Sequence, residues 1–386
     1  MAAAIVSIFS SGDYEAQIAR GAEALKSGGV VILPTETVYG AAALLSQPKS
    51  RQRLAELRGQ KESQPFTVHL ARPHDAERYL APLNEYARRL VSKLWPGPVG
   101  MIFEVPAETR RKVASQLKLA EENLYEAGQI TLRCPDNIIA TDMLAEVDGP
   151  VALTVAGSTP SGGGWSAAAL ANELGEKADL IFDAGPTKYS KPSTLIKVES
   201  EGYKIVRAGV YDERIIDRLL RTTILFVCSG NTCRSPMSEA IARNVLAQKL
   251  GVNEAELERK GINVMSAGSF AMPGARATPQ AVEALRELGV DLSQHRSRPL
   301  TVELIHQADA IFTMSRAHAQ AVMALVPAAA QKVATLDPDG DIEDPIGSDI
   351  GVYKTLAGEL RPLIEKRVAE VTRDVARSDK TLNPKP

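Results

Sequence analysis

The stretch Thr223-Ile-Leu-Phe-Val-Cys228-Ser-Gly-Asn-Thr-Cys-Arg234-Ser235-Pro-Met237 reads as a buried strand, a tight loop and a helix that begins at Pro236. Gly230 and Asn231 are the loop residues free to take positive φ. Backbone N–H groups of such a loop, together with the N-terminus of the next helix, converge on an anion. Ser229, Gly230, Asn231, Thr232 and Cys233 would form that cradle. Arg234 supplies a planar fork for two phosphate oxygens, which a lysine does not. The same positive field favours a thiolate on Cys228, and Ser235 can donate a hydrogen bond to it. Cys228 is therefore a candidate nucleophile at phosphorus. The bland alternative is a structural cysteine in a strand-to-helix turn. It does not account for a Cys and an Arg at this spacing between an apolar run and a Ser-Pro helix start.

Downstream, strand and helix patterns alternate. Val264 leads into Ser266-Ala-Gly268, a helix runs from Thr278-Pro279 to Leu288, and 309–314 is strand-like. A helix over 317–325, a strand over 333–336 and a long helix over 352–375 come next. Such alternation predicts a doubly wound parallel sheet with its ligand site at the strands' carboxyl ends. Attack by a thiolate also needs a group that protonates the leaving group and later deprotonates water. The acidic loop 337–347 offers Asp337, Asp339, Asp341, Glu343 and Asp344, and Pro345 stiffens the backbone beside Asp344.

Bulk properties bound the rest. A chain of 386 residues predicts two or three domains. A net charge of −2 excludes a general polyanion binder, so any nucleic-acid contact is local. Three cysteines argue for a reducing compartment and against a disulfide scaffold. The opening residues carry no basic region, and no apolar run is long enough to span a bilayer. A cytoplasmic protein without a membrane partner is the expectation.

The first half carries helical spacing over 14–28, about 47–58 and 75–94, and strand patterns at 30–33, 67–70, 99–105, 129–133, 151–156, 180–183 and 194–197. This predicts a mixed α+β domain around a central sheet. The Gly/Ser loop 157–164 lacks the Lys-Ser/Thr of a nucleotide-binding P-loop. Residues 208–222 have helical spacing and close the domain.

Pro34-Thr-Glu-Thr-Val-Tyr-Gly40, with Trp95-Pro-Gly-Pro98, Arg133-Cys-Pro135, Ser193-Thr194 and Arg207-Ala-Gly209, resembles the YrdC-like family of threonylcarbamoyl-adenylate synthases over about residues 10–215. The resemblance implies a twisted α/β sheet around a positively lined concavity. It also implies a reaction in which L-threonine, bicarbonate and ATP, with Mg2+, give threonylcarbamoyl-AMP and pyrophosphate. That product serves tRNA modification at adenosine 37, which makes tRNA-modification proteins the implied partners. On this reading Thr35 and Tyr39 hold the amino acid's polar groups, with His69 beside them. Ser193, Thr194 and Arg207 bind phosphates or nucleotide, and Arg133 belongs to the same site. The bland alternatives are a capped turn for Thr35, a core-edge tyrosine for Tyr39 and an ordinary strand histidine for His69. The family's Lys-Gly-Arg-Pro stretch stands here as Arg58-Gly-Gln60-Lys61, keeping the first cation and placing Lys61 next to the second position. Its Ser-Ala-Asn stands as Val155-Ala-Gly157. These departures keep open an impaired nucleotide-, ligand- or RNA-binding module that regulates the other half.

Residues 223–378 resemble the low-molecular-weight protein phosphatase family, whose Cys loop lies near the domain's start and whose Asp-Pro general acid lies near its end. The resemblance implies a cysteinyl-phosphate mechanism with no cofactor or metal and a phosphorylated protein as substrate. It assigns Cys228 as nucleophile, Arg234 as phosphate clamp, Ser235 as thiolate partner and Asp344 as general acid and base. Asn231, Ser266 and His295 match a network that holds the loop in shape, and Cys233 is placed to pair reversibly with Cys228. Gly-Asn-Thr-Cys-Arg-Ser-Pro-Met and Asp-Pro-Ile-Gly are most similar to arginine-phosphatase members, so phosphotyrosine and phosphoarginine are both candidate substrates, with Thr232 as the discriminating side chain.

Overall fold

In a computed structural model, residues 3–8, 13–59, 66–157 and 166–371 are described. The chain divides into two compact units, Met1–Leu219 and Leu220–Pro386. The division falls between the segments expected from sequence. Among the described residues no helix is long and apolar enough to cross a membrane.

The first unit is built on ten strands: β1 (Ala4–Ser7), β2 (Val31–Leu33), β3 (Gly40–Leu44), β4 (Thr67–His69), β5 (Val99–Glu104), β6 (Gln129–Arg133), β7 (Val151–Val155), β8 (Leu180–Asp183), β9 (Thr194–Val198) and β10 (Tyr203–Arg207). They form one mixed sheet in the order β1-β8-β2-β3-β7-β4-β6-β5-β9-β10. Its centre is apolar on both faces: every residue of β2 and β3 is buried. The helix Tyr14–Lys26 lays Ile18, Ala22 and Leu25 on that centre, beside Met143, Leu144 and Phe182. Strand register brings together residues that the motifs keep far apart in the chain. His69 lies opposite Arg133 where β4 and β6 run parallel, and Gly40 lies opposite Val155 where β3 and β7 run antiparallel.

Several expectations need correction. The strand β3 is Gly-Ala-Ala-Ala-Leu, a composition of low β-propensity that becomes a strand because β2 and β7 bury it on both sides. The edge strand β10 hides its signal because most of it is exposed. The helical pattern over 75–94 splits into a 3₁₀ turn, Pro73–Arg78, and a helix, Glu85–Leu94. Asn84 caps that second helix, accepting from Ala87 N at 2.8 Å. Only Glu213–Leu219 of the segment 208–222 is helical, because Thr222 already belongs to the next strand. Most of the Gly/Ser loop 157–164 lies outside the described residues.

The second unit holds four parallel strands, β11 (Thr222–Cys228), β12 (Ile262–Gly268), β13 (Ala310–Thr313) and β14 (Val333–Thr335), in the order β12-β11-β13-β14. All seven residues of β11 are buried, as an inner parallel strand requires. Ile224, Phe226 and Cys228 face a core shared with the helices Arg234–Leu250, Pro279–Glu287 and Ile350–Val371. Leu225 and Val227 face the other layer, with Ile305 and Val322 from the helices Val302–Gln307 and Arg316–Leu325. The sheet is doubly wound. Its chain crossovers diverge to either side of β11, so a crevice opens where β11 ends, at Cys228.

Candidate active site

The loop after Cys228 turns on one residue. Asn231 takes φ +54°, a left-handed conformation that asparagine tolerates better than most residues, whereas Gly230 does not take positive φ. Hydrogen bonds hold Asn231 there. Its Nδ2 donates to Ser235 Oγ at 3.0 Å and Ser266 Oγ at 2.8 Å, and its Oδ1 accepts from Arg298 N at 2.8 Å. Its carbonyl accepts from His295 Nε2 at 2.8 Å. That contact makes Nε2 the protonated nitrogen of a ring whose burial pushes its pKa below the ordinary histidine range. Ser266 Oγ in turn donates to Glu239 Oε2 at 2.6 Å.

This network aims donors at Cys228. Asn231 N lies 3.3 Å from Cys228 Sγ, and Ser235 Oγ lies 3.0 Å from it. Ser235 has one proton and two acceptors in reach, Cys228 Sγ and Ala267 O at 3.3 Å. A thiolate is the stronger acceptor and takes that proton. The helix begins at Arg234 rather than Pro236, with Cys233 at its cap position. Its N-terminus therefore points into the same loop.

A cavity of about 210 Å³ opens on this loop, with Cys228, Ser229, Thr232, Arg234 and Asp344 in its wall and Phe270 and Ile346 at an apolar rim. Phe270 is 86% and Ile346 65% exposed. Arg234 is buried; its Nη1 donates to Ile342 O at 2.8 Å and its Nη2 pairs with Asp344 Oδ2. The other acids of the loop do not line the cavity. Asp337 and Asp341 accept from the backbone N–H groups of Asp339 and Arg316. Cys233 is a free, buried thiol whose Sγ lies 3.4 Å from Tyr353 Oη and 3.6 Å from Thr278 Oγ1. Burial, and then the contact with Cys233, raise the Tyr353 phenol above its ordinary range. Sequence reasoning missed Glu239, Arg298, Tyr353, Phe270 and His318. Glu239 alone had a local signal: it stands four residues after Ser235 and so shares its helix face.

In the first unit the candidate residues divide by the partners their polar atoms take. Thr35 Oγ1 donates to Val38 O at 2.6 Å and accepts from Thr37 N at 3.2 Å, which closes the turn on itself. Tyr39, fully buried, donates to Gly185 O at 2.8 Å and accepts from Ala184 N at 3.1 Å. Thr194 Oγ1 donates to Tyr211 O at 2.6 Å and accepts from Tyr211 N at 2.9 Å. In this structure these hydroxyls are bonded to backbone. His69 is buried, its Nδ1 3.1 Å from Thr67 O. Burial first, and then Arg133, push its ring down to about 3, so it is neutral at physiological pH and no cation.

What remains is cationic. Arg133 is buried; its Nη2 donates to Thr37 Oγ1 at 2.9 Å and lies 2.9 Å from Glu36 Oε1. Arg207 Nη2 donates to Ser193 O at 3.1 Å and lies 3.4 Å from Ser193 Oγ. Partial desolvation and then the charge of Arg133 lower Arg207, while partial desolvation and then the charge of Arg207 lower Arg58. Gly209 lets this corner close, since a Cβ there would lie 2.3 Å from Thr194 N. Where a family member would carry Ser-Ala-Asn, Val155 is 43% exposed and Gly157 sits at φ +69°. Gln60 and Lys61 lie outside the described residues.

Comparisons with known proteins respect this division. Residues 23–209 match the Sua5/YciO/YrdC family model, described as telomere recombination. Residues 223–379 match the model of the low molecular weight phosphotyrosine protein phosphatases. The chain is 40% identical over 156 residues to a protein-arginine-phosphatase of Bacillus subtilis, covering 39% of this chain and 97% of that protein. It is 26% identical over 205 residues to a threonylcarbamoyl-AMP synthase of the same organism, covering 53% of this chain and 56% of that protein. A solved structure of a YwlE mutant from Bacillus subtilis shares 39% identity over 39% of this chain and 99% of its own, with a TM-score of 0.35.

Gly268, opposite Cys228 in the sheet, generates a test of the loop. A Cβ there would lie 2.4 Å from Ser229 O and 2.9 Å from Asn231 N, both backbone atoms. Overpacking of this kind costs about 1–3 kcal/mol. Gly268→Ala is expected to lower phosphatase kcat/KM roughly 10- to 100-fold and to lower the thermal midpoint. Wild-type kinetics in that variant would contradict the geometry.

Proposed function

The chain belongs, through residues 223–379, to the low molecular weight phosphotyrosine protein phosphatase family, and from that premise we propose that its second unit dephosphorylates proteins through a cysteinyl-phosphate, with phosphoarginine preferred to phosphotyrosine. Cys228 Sγ attacks phosphorus while the bond to the leaving group breaks, and Asp344 gives that group its proton. Water then attacks the cysteinyl-phosphate, Asp344 takes the proton, and phosphate leaves a thiolate that Ser235 stabilises. The pairing of Arg234 with Asp344 supports a coupled step. A phosphate dianion offers the guanidinium two oxygens and draws Nη2 off Asp344, which frees the acid to face the leaving group. The observation that carries the substrate reading is Thr232, half-buried in the cavity wall. Its hydroxyl meets a guanidinium with hydrogen bonds, whereas an aliphatic side chain there would offer an aryl ring packing surface.

For the first unit the reading is a threonylcarbamoyl-AMP synthase in the cytoplasm. It would take L-threonine, bicarbonate and ATP with Mg2+ and serve tRNA modification at adenosine 37 alongside tRNA-modification proteins. The cationic cluster of Arg58, Arg133 and Arg207 supports it, because carboxylate and phosphate substrates both need such a lining. Val155 and Gly157 favour a second reading, a module that binds nucleotide, ligand or RNA without turnover and regulates the phosphatase.

Kinetics separate these readings. Thr232→Ile is expected to lower the phosphoarginine-to-phosphotyrosine ratio of kcat/KM by about tenfold, the size of one lost hydrogen bond to a charged group; an unchanged ratio would reject the substrate assignment. Pyrophosphate release from ATP that requires both threonine and bicarbonate is expected of a synthase. ATP binding without release points to the module, and no ATP binding rejects both nucleotide readings.

A further inference from the structure

Ser229, the residue after the nucleophile, lines the cavity, and its hydroxyl has a fixed partner. Ser229 Oγ lies 2.9 Å from His318 Nε2. His318 is buried in the first turn of the helix Arg316–Leu325. Its other ring nitrogen, Nδ1, lies 2.7 Å from the oxygen of Ser315, which caps that helix by accepting from His318 N at 3.3 Å. The charged groups the ring faces are Arg234, Asp344 and Asp341, and burial, then Arg234, lowers it below the ordinary histidine range.

A neutral ring has one N–H, and the surrounding bonds say where it sits. Ser315 Oγ already accepts from the backbone, and its own proton has Nδ1 as acceptor at 2.7 Å. Nε2 then carries the ring proton and donates it to Ser229 Oγ. Ser229 is left with one O–H and one lone pair, both directed away from His318. A hydroxyl so held is a polar contact next to the attacking sulfur. It can accept an N–H from a guanidinium leaving group, while a phenol leaving group has no N–H to offer.

We infer that Ser229 is a second specificity-determining residue of the phosphatase site, selecting leaving groups that carry N–H donors, and that His318 is a positioning residue acting through it. This rests on the proposed phosphatase reading with phosphoarginine as substrate. A residue acting only through another loses its effect when that other is removed, which a double-mutant cycle measures.

The test uses the full chain with phosphoarginine- and phosphotyrosine-bearing proteins, comparing wild type, Ser229→Ala, His318→Phe, His318→Gln and the double variant Ser229→Ala/His318→Phe. Wild-type turnover is read first: no release from phosphoarginine overturns the substrate reading and this inference with it. Given turnover, Ser229→Ala is expected to lower the phosphoarginine-to-phosphotyrosine ratio of kcat/KM about tenfold. His318→Phe should reproduce the same ratio shift and add nothing in the Ser229→Ala background. His318→Gln, whose amide can still donate, should recover much of the ratio. Should His318→Phe slow both substrates equally, or multiply the Ser229→Ala loss, His318 is a packing residue and the inference fails while the phosphatase reading stands. A Ser229→Ala variant with an unchanged ratio overturns it by a route that does not depend on how the His318 variants fold.

Discussion

The second unit's chemistry depends on one side chain in a conformation it does not choose alone. Asn231 at φ +54° costs backbone energy, about 1–2 kcal/mol for most L-residues and less for asparagine. The network through Ser235, Ser266, Arg298 and His295 offsets that cost. Its anchor is Glu239, a carboxylate on the same helix that presents its N-terminus to the site. The loop, the helix and the neighbouring strand β12 therefore share one hydrogen-bonded frame. The loop is thus held in shape by the protein's own hydrogen bonds, the kind of preorganisation that electrostatic catalysis relies on.

Within that frame the groups divide by task. The peptide N–H groups and the helix N-terminus are fixed, whereas Arg234 and Asp344 hold each other and can be parted. In the proposed mechanism that pairing is what a phosphate dianion displaces, competing for Arg234 and freeing Asp344 to face the leaving group. Ser229 and Thr232 then stand on the wall beside the sulfur as polar groups, and Phe270 and Ile346 form an apolar rim around the mouth. In the first unit the motif hydroxyls bond to backbone, and Arg133 pairs with Glu36.

The second unit was legible in the sequence because its chemistry is local. The residues proposed as nucleophile, cradle, clamp and thiolate partner fall within Cys228–Ser235, between a strand and a helix that the pattern of apolar residues reveals. Asp344 needed only the turn chemistry of Asp-Pro. His318, Tyr353, Arg298 and Phe270 were not legible, since each reaches the loop from an element whose approach is set by packing across the sheet. The first unit was less legible. Its Pro34–Gly40 stretch is rich in polar groups that look outward on paper, yet Thr35 and Tyr39 turn theirs into the backbone. A one-dimensional motif does not say on which side of a turn a hydroxyl ends. β3 failed for a related reason, because alanine becomes strand only when its neighbours bury it.

The central claim is that Cys228 carries the phosphoryl group and Asp344 handles its protons. Mixing the intact Asp344→Asn protein with a phosphoarginine protein, quenching in acid within the first turnover and mapping the phosphoryl group by mass spectrometry tests it most directly. A phosphoryl group on Cys228 is the expected result, outlasting that of the wild type because the second step lacks its base, with none at position 228 in Cys228→Ala held to the same time. Free phosphate released at the wild-type rate with no phosphorylated Cys228 at any time would contradict it.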